Sequence, residues 1–421
     1  MKEYEIRDPV YGFVAFNEWE KEIIDHPAFQ RLRRIKQLAL TDMVYPGAVH
    51  TRFEHSLGVM HLATIMYDSI VNNNRRILEE RLSYNDIGLK KDRQLIRLAA
   101  LLHDVGHAPF SHGSEEIMPM NPERNKPFKH EDYTTKIIKT ILKDAIENHP
   151  INKRNYGIEA KEVSALIEGN TEIIGERIFW RVLISSQLDA DRGDYLLRDS
   201  YHTGVKYGIY DHSRLINTLS IGTDPESKDV VLGVNKDGWH VAESVVIARY
   251  QMFTQVYFHK TRRAFDYHLK NAMIKALDGG KLPGIEAIDS FLRLDDYVMW
   301  NQFQHQRDDR DSMSIINRNH IREIYSTPEA PGQEDESELQ EKKLRLDSAG
   351  ISYYEDKSER LWYKLADERN GDKEIMIIMG EDGVARPLSN FSSIVKNMGE
   401  VKQIRIYVRP EDRMKAKEAL R

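Results

Sequence analysis

No cysteine occurs among the 421 residues of this chain, which excludes disulfides and thiolate metal ligands together. Any bound metal must sit among nitrogen and oxygen donors, a set that favours Mn, Fe, Co, Ni, Zn or Mg over thiolate-held structural zinc. Long apolar runs are missing too. None approaches the ~20 residues that span a bilayer, and the start, Met1-Lys2-Glu3-Tyr4-Glu5-Ile6, has no apolar stretch of the kind found in a signal peptide. A cytoplasmic protein without a membrane partner is the expectation. Nor is there a large charge of one sign. The formal net charge of −6 argues against non-specific nucleic-acid binding as the main role, while leaving room for a local basic channel. Arg31, Arg33, Arg34 and Lys36 form one basic run, readable either as a solvated helix face or as a phosphate holder. What remains is an ordinary soluble balance, 40% hydrophobic and 30% charged, in a chain long enough for one large domain and a smaller one.

Periodicity makes most of the chain helical. Residues 4–16 alternate about a Pro9/Gly12 turn and predict a β-hairpin. Helical spacing begins at Glu18, with Trp19, Ile23 and Ile24, and recurs over 29–38, 53–72, 92–104, 130–147, 160–168 and 177–198. A second hairpin is predicted near 229–243, with strands 230–234 and 239–241 about Asn235-Lys236-Asp237-Gly238, before long helices over 243–276 and 284–300. From Ser326 to Lys343, Pro328, Pro331 and Gly332 lead into a run of Glu, Asp, Gln and Lys. Its first part is predicted as a solvated connector, and the rest is compatible with an exposed helix. Strands are expected at 361–365, 375–379 and 404–408, and helices at 389–397 and 410–420. The fold class is therefore mainly α: a helical core with short β-hairpins over 1–325, a charged connector over 326–345, and a small α+β C-terminal domain over 346–421.

Seven of the 16 histidines fall between positions 50 and 130. Four of them lie in two strings, Thr51-Arg52-Phe53-Glu54-His55-Ser56-Leu57-Gly58 and His103-Asp104-Val105-Gly106-His107-Ala108-Pro109-Phe110-Ser111-His112. Histidine is the commonest metal ligand and moves protons near neutral pH, so this cluster beside carboxylates reads as a hydrolytic metal site. The His103-Asp104 doublet closes an apolar run over 95–102 in which only Arg97 is charged, which predicts a largely buried helix. Adjacent helical residues diverge by about 100°, so they grip one ion only near a helix end, and Gly106 and Pro109 supply one. His107 shares the face of His103 if the helix runs one turn further. A lone histidine in such a place more often fills a core; the doublet with His55 upstream does not fit that reading. His50 and His61 keep it. A downstream carboxylate is needed, and Asp189-Ala190-Asp191-Arg192-Gly193-Asp194-Tyr195-Leu196-Leu197-Arg198-Asp199 offers one. Asp189 and Asp194 are equally readable there as an exposed helix face.

These strings resemble the HD-domain deoxynucleoside triphosphate (dNTP) triphosphohydrolases, which include bacterial dNTPases and dGTPases and the vertebrate enzyme that adds a SAM domain. The likeness spans about residues 4–270. It takes in Asp8-Pro9-Val10-Tyr11-Gly12, Phe29-Gln30-Arg31-Leu32-Arg33, Ile35-Lys36-Gln37-Leu38, Tyr45-Pro46-Gly47-Ala48, both histidine strings, His130-Glu131 and Asp191-Arg192-Gly193-Asp194-Tyr195. It implies an HD-domain catalytic region and metal ligation by His55, His103, Asp104 and Asp191, holding a transition metal (Mn, Fe, Zn, Co or Ni) with Mg as a second ion. The reaction implied turns a dNTP into a deoxynucleoside and inorganic triphosphate. His112 matches the family's acid, with Glu115 and His130 in support, although His130 reads as well as a packing residue at a helix start. Arg52, His107 and Arg192 are implied on the triphosphate, Gln37 and Asp199 on the sugar 3′-hydroxyl, Tyr195 against the 2′ position and Leu38 beneath the base. The family often has Lys where Arg192 stands.

Asp25, Gln30 and Arg33 match positions that recognise a dGTP or GTP effector at a subunit interface, which implies a homo-oligomer, dimer or tetramer. Read by themselves, the three are helix-surface polarity, with Asp25 a candidate N-cap before Pro27. Tyr4 departs from the family's basic residue in that site, and the match around 257–265 needs a one-residue gap. Two rival readings stand beside this one. One keeps the metal site for a monophosphate, cyclic nucleotide or alarmone; the other is a nucleic-acid-binding protein with a secondary HD site.

Overall fold

The computed structural model describes residues 2–360, 374–380 and 383–421. It opens with the predicted hairpin: β1 (Glu3–Asp8) and β2 (Gly12–Asn17) pair antiparallel in register from Glu3↔Asn17 to Asp8↔Gly12. Asn17 caps α1 (Glu18–Asp25) in a reciprocal box with Glu20. His26, not Asp25, caps the next turn, Pro27–Gln30, its Nδ1 accepting from Ala28 N at 3.2 Å. Asp25 is instead the last residue of α1 and pairs with Lys21.

The core centres on α2 (Arg52–Leu82) and α3 (Asp86–Leu102), which pack along one another. α2 outruns its predicted end at 72. It passes through a kink at Asn74 (φ −126°), whose side chain donates to Ile70 O and accepts from Ile221 N. A side chain inserted this way explains a bend without ending the helix. α3 buries its run from Leu95 to Leu102 as predicted, and the charge of Arg97 is met inside by both oxygens of Glu20 and by Thr64. α4 (His130–Lys139) and α5 (Ala160–Glu168) pack against each other. The helix predicted over 177–198 is broken. A 3₁₀ stretch covers Gly175–Leu183, and α6 (Ala190–Thr203) starts afresh where Asp189 accepts from Arg192 N at 2.7 Å.

The predicted hairpin at 229–243 is corrected. β3 (Leu219–Thr223) pairs antiparallel with β4 (Val230–Asn235), while Trp239 begins α7 (Trp239–Met252). Gly238 lies so close to Thr218, at the end of a short helix over His212–Thr218, that a Cβ there would sit 2.4 Å from its Oγ1, which seats the start of α7 against that helix rather than in a sheet. A π-turn over Phe253–Tyr257 separates α7 from α8 (Lys260–Ala276), and α9 (Asp296–His305) follows. β5 (Arg322–Ser326) precedes α10 (Gln333–Ser348), a helix that buries Leu339 and Leu346. Beyond it lie β6 (Tyr353–Arg360), β7 (Met376–Met379), β8 (Val384–Pro387) and β9 (Val401–Val408). The strand expected at 361–365 lies outside the described residues.

β5, β9 and β6 form an antiparallel sheet in that order, while β7 and β8 join β3 and β4 in a closed four-stranded barrel. Ile375, Ile377, Leu388 and Val395 thereby enter the main hydrophobic core. Mainly α with short hairpins and a small α+β C-terminal part is the fold observed. Among the described residues no helix is long and apolar enough to cross a membrane.

Candidate active site

Four side chains from three places in the chain converge. His55 stands in the first turn of α2, His103 and Asp104 just past the end of α3, and Asp191 in the first turn of α6. α3 stops at Leu102, so His107 is carried by the following loop and not by a further helical turn. His55 Nε2 lies 3.1 Å from Asp191 and 3.5 Å from Asp104; His103 Nε2 lies 3.3 Å from Asp104 and 3.8 Å from Asp191. Each imidazole is oriented by its other nitrogen. His55 Nδ1 meets Asp194 at 2.7 Å, and His103 Nδ1 meets Ala100 O at 2.8 Å. Both Nε2 atoms are buried with no hydrogen-bond partner. Two imidazoles held in one tautomer, with their free nitrogens facing two carboxylates, fit a divalent cation.

The charges are arranged accordingly. Burial opposes the imidazolium of His55, but Asp191, Asp194 and Asp104 outweigh it and push its pKa up to about 10. Burial would raise the carboxyl pKa of Asp104, yet Arg52, His103 and His107 hold it well below the usual range. His103 and His55 do the same for Asp191. His107 is the opposite case: burial, Arg52 and His130 push it far down, so it is neutral. Asp194, expected as a possible exposed helix face, is fully buried and grips Arg198 with both oxygens at 2.8 Å. Asp189 is buried as well, as the cap of α6. In each, a local hydrogen-bond partner replaces the water that a surface carboxylate would have. Gly58 makes room for this arrangement, since a Cβ there would stand 2.0 Å from Asp194 Oδ1.

A cavity of about 480 Å³ opens over Asp104 and Asp191. Its wall brings together Gln37, Leu38, Arg52, His107, His112, Glu115, His130, Arg192, Tyr195 and Asp199, all expected from the sequence. Glu115 Oε1 faces His112 Nδ1 at 2.7 Å and His130 Nδ1 at 3.1 Å. Burial disfavours the Glu115 charge, but the two histidines hold its pKa far below the ordinary carboxyl value. His130 is raised despite burial, by Glu115, Glu131 and Asp104, and its ring stacks on His107 at 4.0 Å. Arg52 pairs with Asp104 and donates to Ser111 Oγ at 3.0 Å, while Arg192 pairs with Asp189. His50 is more than filler: its Nε2 meets Asp199 at 2.7 Å, and Tyr257 donates to the other oxygen.

Asp25, Gln30 and Arg33 lie elsewhere, at the surface. Arg33 donates to Gln30 Oε1 at 2.9 Å and lies 3.5 Å from the centroid of the Phe53 ring.

Several members of the site were not singled out from sequence. Asp194 had a usable signal, its i+3 spacing from Asp191 and i−4 spacing from Arg198. Tyr257, Arg262 and Arg263 complete the far wall from the π-turn and α8, and Tyr354 reaches it from β6. No spacing rule links residue 354 to residue 104.

The HD domain family matches residues 52–198, and the HD associated region matches residues 210–421. The uncharacterized protein YwfO of Bacillus subtilis is 32% identical over 93% of this chain and 88% of its own length. The chain belongs to the HD-domain family. Other relatives of this HD protein carry activities in their names. The deoxynucleoside triphosphate triphosphohydrolase SAMHD1 homolog of Dictyostelium discoideum is 29% identical over 70% of this chain and 51% of its own length. The crystal structure of a phosphohydrolase from Bacteroides thetaiotaomicron superposes with a TM-score of 0.71 at 26% identity, covering 97% of this chain and all of that one. As a family member, the HD protein is a phosphohydrolase type built to use a divalent metal, and His55, His103 and Asp104 form a group able to hold one.

Proposed function

We propose that this HD protein hydrolyses deoxynucleoside triphosphates to a deoxynucleoside and inorganic triphosphate. One observation carries the reading: Gln37, Tyr195 and Asp199 line the same cavity as Arg52, Arg192 and the carboxylates of Asp104 and Asp191. A divalent cation in the set His55, His103, Asp104 and Asp191 supplies, when bound, an acidified water and charge neutralisation at the phosphoryl oxygens. Mn, Fe, Zn, Co and Ni suit that nitrogen and oxygen set, and Mg suits the phosphates themselves.

The protein's own groups do the rest. Arg52 and Arg192 bind the triphosphate, and Nε of Arg192 is buried without a partner in the protein, leaving a donor for a phosphate oxygen. Neutral His107 adds a ring N–H donor. Gln37 Oε1 is likewise unpartnered and accepts from the 3′-hydroxyl. Asp199, fixed by His50 and Tyr257, accepts there through its remaining lone pairs. Tyr195 fills the space a 2′-hydroxyl would need, so a ribonucleotide pays in clash and in desolvation of its extra hydroxyl. Leu38 lies under the base. His112 turns Nδ1 to Glu115, which leaves Nε2 to protonate the departing 5′ oxygen, with Glu115 and His130 holding it. The reading extends to a homo-oligomer activated by dGTP or GTP at Asp25, Gln30 and Arg33.

The test is direct. Purified protein loaded with Mn²⁺ or Mg²⁺ is given each dNTP singly and then mixed, and the products are separated by chromatography. Triphosphate and deoxynucleoside are expected from wild type, with both metal content and turnover lost together in Asp104→Ala. Activity from mixtures alone signals the effector. Release of monophosphate or orthophosphate instead overturns the reading.

A further inference from the structure

The loop that delivers His112 has an unusual backbone. Phe110 (φ +59°) and Ser111 (φ +53°) both take the left-handed conformation, and neither is glycine. Two such residues in succession persist only where the surroundings over-determine them. The surroundings here are specific. Asp296, the first residue of α9 and buried to 3% exposure, accepts from Phe110 N at 2.7 Å through Oδ1 and from Lys36 N at 2.9 Å through Oδ2. Ser111 Oγ donates back to Lys36 O at 2.7 Å and accepts from Arg52 Nε. Residue 36 is thus tied to the loop directly by its C=O and, through Asp296, by its N–H. The next residues along the two strands of this tie are Gln37 and His112.

A second contact comes from the same side. Arg31, 1% exposed, donates through Nε to Leu294 O at 2.7 Å and through Nη1 to His107 O at 2.8 Å. The loop is therefore gripped at its first residue by Arg31 and near its last by Asp296. The ring of Phe110 stacks on Phe303, one face further along α9. Neither Asp296 nor Arg31 lines the cavity. They reach the chemistry only through the backbone of 107–112 and of Lys36.

We propose that Asp296 and Arg31 are positioning residues that brace the loop from His107 to His112, setting where His112 stands relative to Gln37. The inference rests on the reading of His112 as the proton donor. Asp296→Asn keeps the shape but replaces one acceptor with a donor, so one of the two amides loses its partner. Hydrogen exchange is measured at Phe110 and Lys36, together with kcat, KM and metal content. The expected result is exchange faster by about tenfold at one or both amides. A fall in kcat of about tenfold to a hundredfold accompanies it, with KM and metal content unchanged. Because the effect runs through His112, the double variant His112→Ala/Asp296→Asn turns over no more slowly than His112→Ala alone. Arg31→Lys, which keeps the charge but not the two-pronged reach to Leu294 O and His107 O, is likewise expected to quicken exchange at Phe110 and to lower kcat, and serves if Asp296→Asn does not fold. Unchanged exchange at 36 and 110, or losses that multiply in the double variant, overturns the brace. A wild type that releases no triphosphate rejects the functional reading instead, and the exchange measurement still decides whether the brace exists.

Discussion

At residue 115 one carboxylate oxygen serves two histidines, His112 and His130. That sharing sets the sign of a pH effect. Burial lowers the pKa of His130, but Glu115, Glu131 and Asp104 outweigh it and leave it raised. A raised histidine contributes stability and charge that are present at low pH and lost as pH rises through its folded pKa. Glu115→Gln removes the first of the raising contacts, so His130 should lose its proton at lower pH, as read by NMR titration of its ring protons. Turnover should then fall more steeply at pH 8 than at pH 6 relative to wild type. An unshifted His130 titration rejects the assignment. Asp194 teaches a different lesson at the same scale. It touches no substrate, yet it fixes the tautomer of His55, and a metal ligand without such a partner is less well aimed.

Between elements, the site depends on how closely α4 approaches the loop after α3. Gly106 is the contact: a Cβ there would stand 2.2 Å from Thr134 N and 2.4 Å from His130 O, both backbone atoms that cannot swing aside. Gly106 N also donates to Thr134 Oγ1, which in turn donates to His103 O. The start of α4, and His130 with it, is thereby fixed against the carbonyl of a metal-site residue. Gly106→Ala should cost about 1–3 kcal/mol from overpacking, measured by denaturant unfolding, and should lower turnover with it. A variant as stable and active as wild type would show that the approach is looser than described.

At the scale of the whole molecule, the C-terminal sheet reaches the cavity over Asp104 and Asp191. Tyr354 lines it, and Asp356, two residues on in β6, holds the cavity residue Arg263 through Nε at 3.1 Å and through Nη2. Tyr407 of β9 donates to Lys260 O at the start of α8. Asp356→Ala takes from a largely buried guanidinium the nearer of its two carboxylates, leaving Asp266 3.5 Å from Nη1, at a cost of about 2 kcal/mol given that Arg263 keeps some solvent contact. A lower melting temperature and a raised KM are expected. A change in neither would separate the sheet from the site.

The sequence by itself pointed to a metal site at the His103-Asp104 doublet with His55 upstream, while Asp191 as a fourth ligand and His112 with Glu115 were implied by the resemblance to HD-domain enzymes. Spacing within one helix made the buried run ending in His103-Asp104 legible, whereas no spacing rule brings His55 and Asp191 together. From periodicity alone the sequence determined a hairpin, expected over 4–16 and found at 3–17, and the mainly helical class. What only the tertiary structure decided lies in contacts between segments far apart in the chain. Residues 219–235 pair both with each other and with 376–387, and the apolar pattern announces strands without naming the distant partners. Asp194 read as surface until α2 was laid across it at Gly58. Asp296, nearly two hundred residues from the loop it holds, carries no local mark of its role. A carboxylate declares its partner only when burial has removed the water it would otherwise bind.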